Sequence, residues 1–308
     1  MVCAIQIALV TSSSVAASDP ATTQQAGDFD LMWWVTTASL VLAPLILVGL
    51  VFQGAWKLPP SPRLPAWRIP LEVGFLAFAT SMLLGGIGQW FGGSMAGGEG
   101  QDASALQASG MATIGAYLGA GIPLLAMGVI WTQLPRPVGS ERPLPHFASI
   151  IFGAIALCIG LPLVETAAYL GNALQQAFQE SEPVTIAHET LRQLTDSSGD
   201  IWWWVVAIGA LVAAPVVEET LYRGILQQSL RRLGVGRWWA ILATSGIFTL
   251  LHIPLLSTEA MLGSLAALLS AGILFGWIRE QTGRLDAPIV AHILFNAFNL
   301  VLALLIAG

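Results

Sequence analysis

Polar side chains stand at helical spacing in otherwise apolar stretches of the C-terminal third of this chain. In the first cluster, Glu218 and Glu219 are followed by Arg223. On a helix Glu219 and Arg223 are neighbours that can pair, whereas Glu218 points about 100° away from them. A buried carboxylate without that partner can act as a base near neutral pH, so the two glutamates are predicted to have different roles. The alternative is a solvated helix end with a surface salt bridge.

Two further clusters follow along the chain. Phe248 and His252 are four positions apart in GIFTLLHIPLL, and His292 and Asn296 are four apart in VAHILFNAFNL. An imidazole and a carboxamide on one helix face both donate hydrogen bonds and could stabilise a developing oxyanion. Both clusters could instead hold helices together inside a membrane. Taken together, the three clusters contain a base, a second imidazole and oxyanion donors, which are the groups that amide hydrolysis requires.

The composition indicates which elements must position these groups. The chain has 308 residues, of which 55% are hydrophobic and 10% are charged. Soluble domains contain about 25% charged residues, so this chain belongs to the membrane class. Its twelve basic residues form no long patch, which argues against nucleic acid as a partner. Cys3 and Cys158 are far apart and indicate neither a disulfide framework nor a metal site.

Eight apolar stretches are long enough, or nearly so, to cross a hydrocarbon core about 30 Å thick. They predict an all-α fold, a polytopic transmembrane helical bundle of about eight spans. Ionisable groups inside such spans are costly and usually functional. The predicted spans are 31–53, 71–92, 111–132, 148–174, 201–217, 238–256, 262–278 and 286–306.

The basic residues predict how the spans are oriented. Eight spans with alternating loops place eleven of the twelve on one side, with Arg192 alone on the other. The basic side is then cytoplasmic and both termini lie outside, as expected for a bacterial plasma-membrane protein. Residues 1–18 resemble a signal peptide without the usual basic start, and whether they are cleaved stays open.

The predicted spans and the loop between them divide the chain into four regions. They are an N-terminal extension at 1–30, a membrane region of about four spans at 31–174, an extracytoplasmic loop at 175–197 and a catalytic membrane domain of about four spans at 198–306.

The three clusters, in this order on membrane helices, resemble the CAAX protease and bacteriocin-processing family. This family includes type II CAAX prenyl endopeptidases and the immunity and abortive-infection relatives of bacteria. The resemblance covers roughly residues 198–306 and rests on Glu-Glu-x-x-x-Arg, Phe-x-x-x-His and His-x-x-x-Asn. The family often has Phe before the arginine of the first motif, where this chain has Tyr222.

The resemblance implies a role for each matched residue. Glu218 would activate the attacking water, with His252 beside it. His292 and Asn296 would stabilise the tetrahedral oxyanion. The supporting residues are Glu219 and Arg223, which would organise the site by pairing, and Phe248 of the second motif.

The resemblance favours a metal-free mechanism. A divalent metal such as zinc is the alternative, because Glu218, His252 and His292 could supply three ligands and leave a fourth position open. The expected partners are a membrane-associated peptide or protein substrate and the lipid bilayer. A catalytically silent protein for partner binding or bacteriocin immunity is the main functional alternative. A transporter is the third, although the sequence shows no internal repeat of the kind many transporters have.

Overall fold

The described part of this chain is built from helices, and eight of them are long and apolar enough to cross a membrane. The structure is a computed structural model that describes residues 25–55, 57, 70–96, 104–133, 144–178, 188–196 and 199–307. It confirms the predicted all-α, polytopic bundle. The α-helices are α1 Gln25–Gln53, α2 Leu71–Ala96, α3 Ala105–Gln133, α4 His146–Phe178, α5 Glu189–Asp196, α6 Ile201–Ile208, α7 Ala214–Glu219, α8 Gln227–Arg232, α9 Arg237–Leu250, α10 Met261–Thr282 and α11 Asp286–Ala307.

The fifth span is longer than predicted. The prediction ended it at residue 217, but the helix continues through the glutamates to Arg232. Hydropathy ended the span too early because Glu218, Glu219 and Arg223 count as polar although their side chains are buried. The first cluster therefore lies within the span rather than at its inner end. Arg223 is likewise inside the bundle and does not belong to the basic loops.

Two π-helical segments interrupt this span, at Gly209–Ala213 and Thr220–Leu226. They flank α7, which carries both glutamates. In the first segment the Ala214 N–H bonds to the Gly209 carbonyl, five residues back instead of four. Pro215 has no N–H, so the Ala210 carbonyl loses both helical donors that could reach it. A side chain from another helix can then bind this carbonyl, as often happens where a π-bulge lies at a functional site.

Glycines allow α2 and α3 to pack backbone against backbone. A Cβ atom at Gly88 would lie 2.1 Å from the Gly115 carbonyl oxygen, and one at Gly92 would lie 2.2 Å from that of Met111. Gly86 has nothing within 4 Å of the corresponding position. The seam between these helices thus depends on Gly88 and Gly92, as small residues do at close helix crossings in membranes.

The helices α4, α10 and α11 pack together around Ala156, Ala271, Phe275 and Ala291, so the fourth span shares an interior with the last two spans. The short helix α5 lies within the region predicted as an extracytoplasmic loop. Its Leu191 and Leu194 are fully buried, and they pack in one cluster with Ala210 of the fifth span. The predicted signal peptide at 1–18 lies outside the described residues, as do the basic residues Arg63, Arg68, Arg136 and Arg142.

Candidate active site

Every residue that the sequence analysis selected for the site is buried in the bundle. The exposed fraction is at most 3% for each of them, which contradicts the alternative of a solvated helix end. The fifth span carries the first cluster, α9 and the turn after it carry the second, and α11 carries the third. The residues are Glu218, Glu219, Arg223, Phe248, His252, His292 and Asn296.

Arg223 is at the centre of the hydrogen-bond network. Its Nη1 donates to Glu219 Oε1 at 2.8 Å, and its Nη2 donates to the Gly272 carbonyl at 3.0 Å. The guanidinium carbon lies 4.9 Å from the ring centre of Phe248 and 5.5 Å from that of Phe275. The two aromatic rings and the buried Glu219 carboxylate together offset the free energy that the Arg223 guanidinium loses when it is removed from water.

His292 joins α11 to the same carboxylate. Its Nδ1 lies 2.9 Å from Glu219 Oε1, and its ring stacks on Phe275 with 4.8 Å between ring centres. Glu219 is paired with Arg223 and acts as an acceptor, so Nδ1 of His292 must carry the hydrogen. Consequently, Nε2 of His292 can donate to a reacting group only when the ring carries both protons. The negative charge that would balance such a ring is that of Glu219.

Asn296 lies one helical turn after His292 and is anchored to the fifth span. Its Nδ2 donates to the Ala210 carbonyl at 2.9 Å. This is the carbonyl that the π-helical segment and Pro215 leave without a helical donor. The backbone irregularity of one helix therefore orients the amide of another.

His252 lies just beyond the end of α9, where Pro254 prevents the helix from continuing. Its backbone N–H turns to the Thr249 carbonyl, and its ring Nδ1 lies 2.6 Å from the Phe248 carbonyl. A carbonyl can only accept, so Nδ1 carries the hydrogen and Nε2 of the neutral ring is a lone pair. The rings of Phe248 and His252 are in contact, with 4.4 Å between their centres.

Glu218 differs from the neighbouring glutamate in having no hydrogen-bond partner. Both of its carboxylate oxygens are buried and unpartnered among the described residues. Buried polar groups normally have a partner, and exceptions are concentrated at functional sites. The two adjacent carboxylates therefore differ as the sequence predicted: Glu219 is paired, and Glu218 is available to a ligand.

A metal-binding arrangement was the alternative that the sequence left open. The described residues contain no group of three or more His, Cys, Asp or Glu side chains arranged to hold a metal ion. In this conformation Glu218, His252 and His292 do not form such a set. A cavity of about 400 Å³ lies elsewhere, between α1, α4 and α10, and its lining is almost entirely apolar. It has no titratable side chain and is not the reaction site.

Sequence reasoning missed two contributors to the site, both on α10. The Gly272 carbonyl accepts from Arg223, and the Phe275 ring stacks on His292. A Cβ atom at Gly272 would fit tightly, because it would lie 3.1 Å from Ser245 Cβ and 3.2 Å from Ser245 Oγ, and it would contact Arg223 Nη2 at 3.4 Å. The spacing of three between Gly272 and Phe275 on one apolar helix was the available signal, but apolar residues at that spacing are common in any packed helix.

The fold and the site together define a polytopic membrane protein with a buried, charged site in its C-terminal half. Residues 200–298 match the family model described as type II CAAX prenyl endopeptidase, Rce1-like. The match covers about the region that the sequence motifs indicated, and it confirms the resemblance there. Comparisons with curated proteins and with solved structures found no match.

Proposed function

We propose that this protein is an intramembrane endopeptidase in which Glu218 activates a water molecule to hydrolyse a peptide bond. The observation that carries the proposal is the contrast between two adjacent buried glutamates. Glu219 is held by Arg223 and His292, while both oxygens of Glu218 have no partner among the described residues. The match to an endopeptidase family over residues 200–298 supports the same reaction.

The proposed reaction balances without a further reactant. Glu218 takes one proton from water as the water oxygen bonds to the peptide carbonyl carbon. The carbonyl oxygen becomes negatively charged, and His292 and Asn296 stabilise it. The C–N bond then breaks, and the proton held by Glu218 passes to the departing amine. His252 accepts a hydrogen bond from the water through its unprotonated Nε2.

The proposed substrate is a peptide tethered to the membrane, reaching the site from the basic, cytoplasmic side. The opposite side is covered, since α5 packs its buried Leu191 and Leu194 against Ala210, whose carbonyl holds Asn296. Prenylated and unprenylated peptides would both be offered as probes, because nothing in the chain itself identifies a prenyl group.

The test is cleavage of a library of membrane-tethered peptides by the purified protein in lipid. We expect Glu218→Gln to lower kcat by a factor on the order of 10²–10⁴ while leaving the fold intact, because only the base is lost. Glu72→Gln is the matched control, since Glu72 is exposed at the start of α2. Retained cleavage in Glu218→Gln would refute the assigned base.

A chelator extends this test to the metal alternative. Cleavage that survives chelation and is lost in Glu218→Gln supports the metal-free reaction. Cleavage lost in both would support a metal held by Glu218, His252 and His292. If the folded wild-type protein cleaves no probe, the alternative of a silent protein that binds a partner is favoured, and the proposal is rejected for those substrates.

A further inference from the structure

A sixth titratable side chain lies near the buried site, in the region predicted to be an outer loop. His188 is fully buried and forms an antiparallel β-bridge with Leu256. Leu256 lies four residues after His252, in the turn that positions that ring. The bridge therefore fixes His188 beside the segment that carries the second motif.

The hydrogen bonds of His188 determine where its proton lies. The Thr190 backbone N–H donates to Nδ1 at 3.2 Å, so Nδ1 is an acceptor and has no hydrogen. Burial, and to a smaller extent the nearby His252 ring, lower the pKa of His188 to about 3. The ring is consequently neutral at physiological pH, and its single ring hydrogen is on Nε2. That Nε2–H is buried and has no hydrogen-bond partner among the described residues.

The nearby His252 ring has the complementary arrangement. Its Nδ1–H donates to the Phe248 carbonyl, and its Nε2 has a buried lone pair without a hydrogen-bond partner in the described structure. One imidazole thus offers a fixed donor, and the other a fixed acceptor. A water molecule can accept from the first and donate to the second, whereas two identical tautomers could not orient it in this way.

We infer that His188 is a further catalytic residue, whose Nε2–H donates a hydrogen bond to the oxygen of the attacking water. This inference rests on the proposed function. The water would give one hydrogen to Glu218 and the other to His252 Nε2, and it would accept from His188 through one lone pair. Only the second lone pair of the water oxygen then remains free, and it is directed at the peptide carbonyl carbon. Such a fixed orientation is what a positioned nucleophile requires.

The competing explanation is that His188 only caps α5 through its contact with Thr190. Two substitutions separate the roles because Asn and Gln imitate different ring nitrogens. His188→Asn retains an acceptor at the Nδ1 position, and Asn is a favoured residue at a helix N-cap, but it has nothing at Nε2. His188→Gln places an amide N–H near the Nε2 position.

With a peptide that the wild-type protein cleaves, we expect His188→Asn to lower kcat roughly ten- to hundredfold, the loss of one strong hydrogen bond. KM and the midpoint of unfolding should stay close to the wild-type values, and His188→Gln should recover part of kcat. Wild-type kcat in His188→Asn, or equal losses in the two variants with a lowered unfolding midpoint, would overturn the inference while leaving the proposed function in place.

A second measurement does not depend on cleavage. The chain has four histidines, so ¹⁵N spectra of histidine-labelled protein in lipid can be assigned by comparison with His188→Asn. We expect His188 to be neutral with its hydrogen on Nε2, and this hydrogen to be in contact with water. A hydrogen on Nδ1, or an Nε2–H without water contact, would overturn the inference whether or not a substrate has been found.

Discussion

The two halves of this bundle differ in what surrounds their helices. In the apolar windows of the first four spans, between 17% and 33% of the residues are buried, against 39% to 50% in the last four. The first half therefore exposes most of its side chains to lipid, and α1 leaves Leu45 and Val41 65% and 58% exposed. The second half encloses its helices in protein. Charged groups can be retained only in such surroundings, because lipid offers them no partner.

Different interactions hold the helices of each half together. Backbone contact through Gly88 and Gly92 joins α2 to α3. In the second half, Arg223 connects its own helix to α10, and Glu219 connects it to α11. Close backbone packing thus holds α2 and α3 together in the first half, whereas a network of paired charges connects the helices of the second half. Substitutions that act on only one of these interactions test the distinction.

The largest effect on stability is expected from breaking the charge network. Arg223→Met would leave the buried Glu219 carboxylate without its cationic partner and with only the hydrogen bond from His292, which costs about 3–5 kcal/mol. Arg232→Met is the control, because Arg232 is exposed at the end of α8 and its loss should change stability by about 0.5 kcal/mol or less. Unfolding in SDS and lipid mixed micelles measures both. The double variant Glu219→Gln with Arg223→Met should be more stable than Arg223→Met; if it is not, the cost does not come from an unpaired charge.

Next in size is the effect of Asn296→Ala on catalysis. Removal of an oxyanion donor lowers kcat by about 10²–10³. Asn299→Ala is matched to it, since the amide of Asn299 donates to the Phe295 carbonyl of its own helix. With a cleavable peptide, the two variants should differ by at least tenfold in kcat. Equal, small losses would assign Asn296 to packing between α11 and the fifth span.

A substitution in the first half should affect stability and leave the site alone. Gly88→Ala places a methyl group against the Gly115 backbone and forces α2 away from α3, at about 1–3 kcal/mol. Gly86→Ala adds the same atom where nothing lies within 4 Å, and a helical alanine is favoured over glycine by up to about 1 kcal/mol. The midpoint of unfolding should therefore fall for Gly88→Ala and rise for Gly86→Ala, while kcat per folded molecule stays constant in both variants. A fall in kcat for Gly88→Ala would show that the halves are coupled.

The smallest of these effects concerns alignment within the site. Gly272→Ala would press on Ser245, which lies 3.1 Å from the added carbon, and would place that carbon in contact with the Arg223 guanidinium. We expect a fall in kcat/KM of roughly tenfold, which corresponds to about 1.4 kcal/mol. Gly246→Ala is the control, because a methyl group there has nothing within 4 Å. Indistinguishable kinetics of the two variants would mean that the arginine tolerates displacement.

The sequence predicted the fold well because hydropathy and helical length are local properties. Each of the eight predicted spans has a counterpart among the described helices, and the matched family region, residues 200–298, lies within the stretch 198–306 that carries the three motifs. The fifth span extends beyond the predicted residue 217 for a physical reason. Hydropathy treats Glu219 and Arg223 as groups that seek water, whereas their mutual pairing lets the helix continue with both buried.

For the site, the sequence identified the residue types and the shared helix face of the first and third motifs, whereas His252 lies in the turn after α9. Spacing of four places Glu219 beside Arg223 and His292 beside Asn296, and these relations follow from helix geometry alone. The tertiary structure gave Glu219 a second partner that the sequence did not predict, because His292 comes from a helix more than 70 positions later. It also placed the Ala210 carbonyl under Asn296 and brought His188 beside the segment that follows His252. Such contacts join distant segments, and no pattern within one helix contains them.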